Sequence, residues 1–577
     1  MGAFNLRLIN TSPKVTRTKN PGSSLPSATA PPTANCAIEA GNCCLGTAMS
    51  VAIKISNSVI DCFSVMAVIL AVEHSNIHKR IALKILIIFG CSHFRLHTRR
   101  VLATKKVRLS FLLFITTTVL SLWFSSCMAC GLMMPLVKAI LKELEKMGIL
   151  ETYQLIGKTS AYSSDDSEIH IPSPSDFTVF YFIGIAYSST IGGMATLIGS
   201  ETNQLFINYC AAVFPSGPKL ESPLYFLLAL PGVIVMEIFL YLWLNFYYLG
   251  MVRNYTALQA SLTNDEEQFI SVLLTGQYQQ MGNITFNEMV VGATVLVAGV
   301  LQSMIFTSTS HTEGVILKTI RCSFVHTSVP NIICVFILFM APTNLKCLKF
   351  FKKLNGKHRL FYVINIGIGR FLHDGYPLYI TRIIIIVLSN MSYHVVDKTE
   401  PLPTYPNKGC LTWSMVRNNV DWSVVFLTAI SNITFDSLED TKMTEEFEKF
   451  LSLFSGCHVL VQACVVIVFC KLLTEFASNA AVARCMLAHI ANVGIKSKVN
   501  PFYLMLSATL SMSIPFHLVT GAPAYAMISS YVHISQRKLM IAGIGPSVMG
   551  ILMNIFTVCV WFKVIWPDID TYTYYYK

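Results

Sequence analysis

Between two strongly apolar segments, residues 186 to 203 read AYSSTIGGMATLIGSETN. They crowd serine and threonine hydroxyls around a Gly192-Gly193 pair, with one carboxylate, Glu201, and one amide, Asn203. The stretch is too polar and too rich in glycine for an ordinary membrane helix. Backbone that leaves the helix inside a bilayer must find its hydrogen bonds in protein or in a wet cavity, so an unwound, hydroxyl-rich segment at that depth lines a transport pathway. Its carbonyl dipoles and hydroxyls can hold an ion. The same composition also fits a helix end followed by an external loop, and periodicity alone leaves both readings open. Two other places interrupt apolar runs with small polar residues. One is Ser125-Ser126-Cys127, followed by Gly131 and Pro135; the other is Ser478-Asn479-Ala480, preceded by Thr474-Glu475. A re-entrant hairpin suits such residues, and close helix packing is their ordinary use. A second stretch of mixed character, residues 501–530, carries Ser513, Pro515, Thr520-Gly521 and Pro523. No triad, phosphate loop or zinc motif stands out. The one CxxC, Cys127 with Cys130, sits in a hydrophobic segment without a second pair, so these thiols read as structural. The chain is therefore read as no enzyme, with no organic cofactor.

The elements that must position these residues are membrane helices. Hydrophobic residues make up 53% against 13% charged, and mean hydropathy is +0.56 over 577 residues, which excludes a soluble enzyme and requires a lipid bilayer as partner. The net charge of +12 collects beside hydrophobic segments, as in cytoplasmic loops, so nucleic acid is not expected as a partner. Residues 1–50 are basic, rich in Ser, Thr and Pro, and read as a disordered cytosolic tail. A first half, 51–305, begins with Val59–Val72, short for a span and holding Asp61, and with His78-Lys79-Arg80 as a cytoplasmic anchor. It continues through a hairpin at 110–141, an extramembrane loop from Lys142 to Asp176 and a broken helix at 177–210. Spans at Ser222–Leu249 and Met289–Ile305 follow, with a polar loop containing NDEEQ between them. The second half, 306–577, opens on a span at His326–Met340, a basic run at Lys346–Arg359, an apolar run Tyr376–Leu388 holding Arg382, and a short apolar run Asp421–Ile430. It ends with a hairpin at 452–493, a broken helix at 501–530 and a closing helix at 540–564.

Residues 186–203 resemble, nearly residue for residue, the signature around the broken fifth helix of the divalent-anion/sodium symporters, the family of sulfate and di- and tricarboxylate carriers. Further matches follow in family order: AVEHSNIHKRIALKIL (71–86), SLWFSSCMACGLMMPLVKAIL (121–141), ITFNEMVV (284–291), TEFASNAA (474–481) and NPFYLMLSATLSMSIPFHLVTGAPAYAM (500–527). The resemblance implies an all-α polytopic membrane protein built from inverted repeats, each with a re-entrant hairpin and a discontinuous helix. Such a protein dimerises through a scaffold and carries its site across the plasma membrane as an elevator-type transporter. The resemblance also implies a substrate site at Ser125, Ser126, Cys127, Ser200, Ser478, Asn479, Ala480 and Pro523, for a di- or tricarboxylate of the succinate or citrate type or for sulfate. Na+ is implied as coupling ion, held around Ser121, Ser125, Ser126, Glu201, Thr474, Ala477, Asn479 and Thr520. The chain departs from the family's Ser-Asn-Thr tips at Ser126, Cys127 and Ala480, and Gly521-Ala522-Pro523-Ala524 stands where Thr-Pro-Pro-Asn is common. A hard cation gains little from a thiol or a methyl group, so weakened sodium sites are expected. Glu201 stands where the family has a small residue. It is a candidate for proton coupling or for extra negative charge beside a cation; a position in water beyond the unwound segment is the alternative. Three readings remain: a Na+-coupled carrier, a sodium-independent exchanger or uniporter, and a non-transporting relative with an interaction or sensing role.

Overall fold

The structure, a computed structural model, describes residues 59–89, 109–148, 151–154, 173–214, 222–248, 264–307, 328–341, 343, 409–567 and 569. The tail at 1–50, the basic run at Lys346–Arg359 and the segment Tyr376–Leu388 with Arg382 lie outside the described residues.

Local signals set several helix starts. Helices α1 (Val59–Ser75) and α2 (Ile77–Phe89) are bent by 69° at Asn76, whose φ of 61° is a left-handed conformation that asparagine tolerates better than most residues. Helices α3 (Leu109–Trp123) and α4 (Ser126–Lys146) double back at Phe124-Ser125, where the Ser125 hydroxyl accepts the Met128 N–H and caps α4. Because α4 runs to Lys146, the loop expected from Lys142 starts a turn later. A short antiparallel pairing, β1 (Tyr153–Gln154) with β2 (Ser173–Pro174), leads into α5 (Asp176–Met194), capped by Ser175. Helix α5 is buried all round from Thr178 to Met194; its first half is apolar, and the Ser188, Ser189 and Thr190 hydroxyls of its second half are buried because each has a hydrogen-bond acceptor, Glu237 for Ser188 and Ala186 O for the other two. Helices α3, α4 and α7 (Ser222–Tyr248) pack around it. After a break at 195–200 the chain resumes as α6 (Glu201–Val213).

One expectation needs correction in the next stretch. A polar loop was expected at NDEEQ, but α8 (Asn264–Gln280) begins there, since its Glu and Gln residues are good helix formers. In the basic run His78-Lys79-Arg80, Arg80 is buried and ion-paired. Its Nε donates to Glu288 Oε2 at 3.1 Å, and its Nη atoms donate to the carbonyls of Met281, Gly282 and Asn283, which the turn before α9 (Phe286–Thr307) leaves open. Glu288 also forms a reciprocal capping box with Thr285 at the start of α9.

Helix α10 (Ser328–Met340) packs on α9. The run at Asp421–Ile430 proves to be the first half of a longer helix, α12 (Trp422–Asp440), which follows the short α11 (Trp413–Asn419) and is capped by Asp421. Helix α13 (Met443–Ser452) is amphipathic. Next come α14 (Val459–Phe476) and α15 (Asn479–Lys496), which double back at Ala477-Ser478, then α16 (Pro501–Met512), α17 (Pro523–Val532) and α18 (Gln536–Phe556). The last continues through a π-helical turn, Thr557–Trp561, to Ile565. Among the described residues, helices α5, α7, α14 and α18 with its continuation are long and apolar enough to cross a membrane, and the bent α1–α2 pair makes a fifth if it crosses as one span. On α18, Met540, Ile544, Val548, Leu552 and Phe556 form an exposed apolar stripe at four-residue spacing, as a lipid-facing helix requires. The protein is a mostly helical, polytopic membrane protein.

Candidate functional site

The first tip and the first break are one unit. Ser126 N–H, at the start of α4, donates to Gly199 O at 3.0 Å. Thr196 Oγ1 donates to Leu122 O and accepts the Gly199 N–H, so the break is tied to the end of α3. The break's carbonyls are met from the first turn of α6: Asn203 Nδ2 donates to Thr196 O, and Gln204 Nε2 to Ile198 O, both at 2.9 Å. Glycine permits this closeness. A Cβ on Gly192 would lie 2.5 Å from Thr118 O, and one on Gly199 would lie 2.6 Å from Gly193 Cα and 2.7 Å from Ser121 O. Ser121 Oγ donates to Ser189 O at 2.6 Å, which commits its hydrogen to α5.

The second tip and the second break repeat the contact. Asn479 N–H, at the start of α15, donates to Gly521 O at 3.1 Å, and Ser478 caps α15 as Ser125 caps α4. Asn479 Oδ1 accepts the neighbouring Ala480 N–H at 2.8 Å, which leaves its NH2 group for a ligand. Thr474 Oγ1 donates to Lys471 O, while Thr520 Oγ1, in the break at 513–522, is buried with no partner among the described residues. Pro523 is the first residue of α17.

Hydroxyls join the two breaks. Ser200 Oγ lies 2.6 Å from Thr202 Oγ1, which lies 2.7 Å from Ser513 Oγ, and Ser513 Oγ lies 3.2 Å from Asn203 Oδ1. The starts of α4, α6, α15 and α17 therefore gather in one region. Neither Ser200 nor Ala522 caps its helix through a side chain, so the first N–H groups of α6 keep their capacity for an anion, and in α17, where Pro523 has no N–H and Tyr525 N donates to Ala522 O, the Ala524 N–H does so. Cys127 is buried just inside α4, within electrostatic reach of both Asp61 and Glu201; Glu201 itself is half-buried in the first turn of α6. Thus Ser125, Ser126, Cys127, Ser200 and Glu201 lie on the first unit, and Thr474, Ala477, Ser478, Asn479, Ala480, Thr520 and Pro523 on the second.

Supporting residues stand behind both tips; Asp61 and Glu475 were singled out from the sequence and the others were not. Ser125 N–H donates to Gln302 Oε1 at 3.4 Å, Gln302 Nε2 to Asn331 Oδ1 at 2.9 Å, and Asn331 Nδ2 to Asp61 Oδ1 at 2.9 Å, a relay, buried at its centre, from the first tip through α9 and α10 to α1. The second tip has its counterpart on α12: Ser431 Oγ accepts the Ser478 N–H at 2.8 Å, and Asn432 Oδ1 accepts from Ser478 Oγ and Arg484 Nη2. Glu475 pairs with Lys471 and accepts the N–H groups of Phe516 and His517, so an ion pair at the end of α14 holds the second break. Glu237, on α7, accepts from Ser188 Oγ at 2.8 Å. A lone acid or amide within an apolar run was the available signal for Glu237, Gln302 and Asn331.

With this geometry in place, comparison with known proteins is direct. The family model described as citrate transporter (CitMHS) matches residues 45–509, well over half of the chain. "Protein I'm not dead yet" of Drosophila melanogaster is 26% identical over 520 residues, covering 88% of this chain and 76% of that one. The Na(+)/dicarboxylate cotransporter 3 of Mus musculus is 22% identical over 529 residues, covering 86% and 78%. The Na(+)/citrate cotransporter of Rattus norvegicus is 22% identical over 523 residues, covering 86% and 80%. On this match the chain belongs to the citrate transporter family.

Proposed function

We propose that this protein is a secondary active transporter of di- and tricarboxylates of the succinate and citrate type, coupled to Na+, and not an enzyme. The observation that carries the reading is the repeated contact of a hairpin tip with a helix break, Ser126 with Gly199 and Asn479 with Gly521, together with the hydroxyl bridge between the breaks. Its occurrence once in each half supports inverted repeats, and so supports an elevator movement of the paired units within a homodimer at the plasma membrane. Helix starts offer N–H groups to carboxylates without an arginine, and the broken backbone offers oxygens to a cation. The relatives named for dicarboxylate, citrate and sodium support the substrate class and the coupling ion. Sulfate remains the competing substrate. Coupling requires that sodium order the site so that the anion binds better.

Uptake of labelled succinate, citrate and sulfate into proteoliposomes, with and without an inward sodium gradient, tests this reading. Gradient-driven accumulation of a carboxylate is expected; no uptake of any of the three would leave an interaction or sensing role. A second reading, sodium-independent exchange, is favoured by Cys127 and Ala480, which bring a thiol and a methyl group to the tips in place of oxygen donors. The double change Ser126→Asn with Cys127→Thr supplies an amide and a hydroxyl, and is expected to lower the half-saturating sodium concentration by about tenfold, one added ion–dipole contact. A steep, sigmoidal sodium dependence in the wild type, unaltered by the double change, would count against weakened sites.

A further inference from the structure

Glu237 sits in the middle of α7, an apolar helix long enough to span the membrane, and only 6% of it is exposed. One carboxylate oxygen, Oε1, accepts the Ser188 hydroxyl at 2.8 Å; the other, Oε2, is buried with no partner among the described residues. Thr118 of α3 stands beside the same carboxylate, and its Oγ1 lies 3.4 Å from Ser188 O, whose residue belongs to α5 four positions before Gly192. No Lys, Arg or His pairs with Glu237 among the described residues.

The helices packed on α7 supply no counter-charge at this level. Helix α3 has no ionisable side chain apart from its hydroxyls. On α5 the charged residue is Asp176, at its far start and paired with Lys538; Tyr181 and Tyr187 are its titratable residues nearer by, and the Tyr187 hydroxyl is spent on Phe516 O and Leu539 O. On α18 the charged residues are Arg537 and Lys538, in its first turn, and the π-helical turn beyond it carries only Cys559. Tyr241 follows one turn later on α7 itself, and its hydroxyl has no partner among the described residues.

A carboxylate at membrane depth with one oxygen unused needs a positive charge from outside the protein, because an unpaired buried charge is strongly destabilising. We infer that Glu237 is a monovalent-cation site: Oε2 takes a sodium ion or a proton, with the Thr118 and Ser188 hydroxyls as neighbouring oxygen donors. Three helices meet at this point, α3 from the first hairpin, α5 ahead of the first break and α7. The cation therefore fastens the hairpin and the broken helix to the helix behind them, away from both tips. The binding stands by itself; its role in coupling rests on the transport reading.

The experiment compares purified full-length wild type, Glu237→Gln and Ser188→Ala by thermal unfolding. Each is titrated with NaCl against choline chloride at constant ionic strength, and separately with protons between about pH 5.5 and 8.5 without sodium. Glutamine keeps the size of the side chain and removes its charge. The wild type is expected to be stabilised along one of the two axes, sodium or protons, which identifies the cation. Glu237→Gln should lose the part of that response that the Glu237 site supplies, any sodium held at the tips being kept, and Ser188→Ala should shift the midpoint of that part by about tenfold, one oxygen donor. Identical profiles in wild type and Glu237→Gln overturn the inference. Ser188→Ala, which keeps the carboxylate, decides the matter if Glu237→Gln fails to fold: an unshifted midpoint then overturns it. Because no substrate is involved, failure here is distinct from failure of carboxylate uptake.

Discussion

Ser125 and Asn479 show what each tip residue has left to give. The Ser125 oxygen is used as a helix cap, but its hydrogen is not; the Asn479 carbonyl is used within its own turn, but its NH2 group is not. Both can donate to a carboxylate. Loss of a hydrogen bond to a charged ligand costs roughly 1.5–3 kcal/mol, so alanine at either position should raise the KM for uptake by about tenfold or more. Ser125→Ala also loses a cap worth about 1 kcal/mol, and Asn479→Ala loses the bond its carbonyl accepts from the Ala480 N–H, so thermal stability must be followed beside transport in both variants. Wild-type uptake in both variants would remove the tips from the binding site.

At the scale of elements, the doubled-back helices and the two breaks owe their closeness to glycine. A methyl group on Gly192 meets backbone, not a side chain that could swing away, so α3 must retreat from α5. Gly192→Ala should cost about 1–3 kcal/mol in overpacking and reduce uptake with it. Gly232→Ala, in α7 with nothing within 4 Å of the added carbon, should be neutral or stabilising by up to about 1 kcal/mol. Thermal unfolding of the two variants separates the cases, and equal losses in both would deny Gly192 its special place. Gly192-Gly193 was legible in the sequence as a special place, because glycine among hydroxyls breaks the apolar pattern of a membrane helix, but the pair lies in the last turn of α5 and the backbone unwinds only after it, at 195–200. How the supports of the tips pair was not legible. Asp61 and Asn331 stand 270 positions apart, and no periodicity connects a lone acid in one helix with a lone amide in another. NDEEQ misled in the opposite sense, because a polar helix start has the composition of a loop.

Across the whole molecule, ion pairs fasten distant parts at the edges of the helical body. Arg80 ties α2 to the turn between α8 and α9, and Glu448 ties the amphipathic α13 to α15. Partial burial pushes the Glu448 carboxyl up, but hydrogen bonds from Lys496, His489 and Asn492 more than offset this and hold it below the ordinary carboxylate range. A carboxyl with a depressed folded pKa stabilises the fold above its unfolded value of about 4.3 and loses that contribution as pH falls through the folded one. Wild type should therefore exceed Glu448→Gln in thermal stability at neutral pH by about 1 kcal/mol, a figure kept small by solvent screening of Lys496. Below about pH 4 the two should converge. A gap that stays constant on acidification would assign the difference to packing.

The hydroxyl bridge between the breaks has a polarity. In Ser200–Thr202–Ser513 either oxygen of each pair can be the donor, so the row can point one way or the other without any heavy atom moving. A cation at Ser200 needs that oxygen's lone pairs; the hydrogens then run from Ser200 to Thr202 to Ser513, and Ser513 donates onward to Asn203 Oδ1 or Thr509 O. An anion at Ser200 needs its hydrogen, and the row reverses until Ser513 donates back to Thr202. A charge bound at one break would thereby set the direction of a hydroxyl at the other, through the three hydrogens that join the two halves.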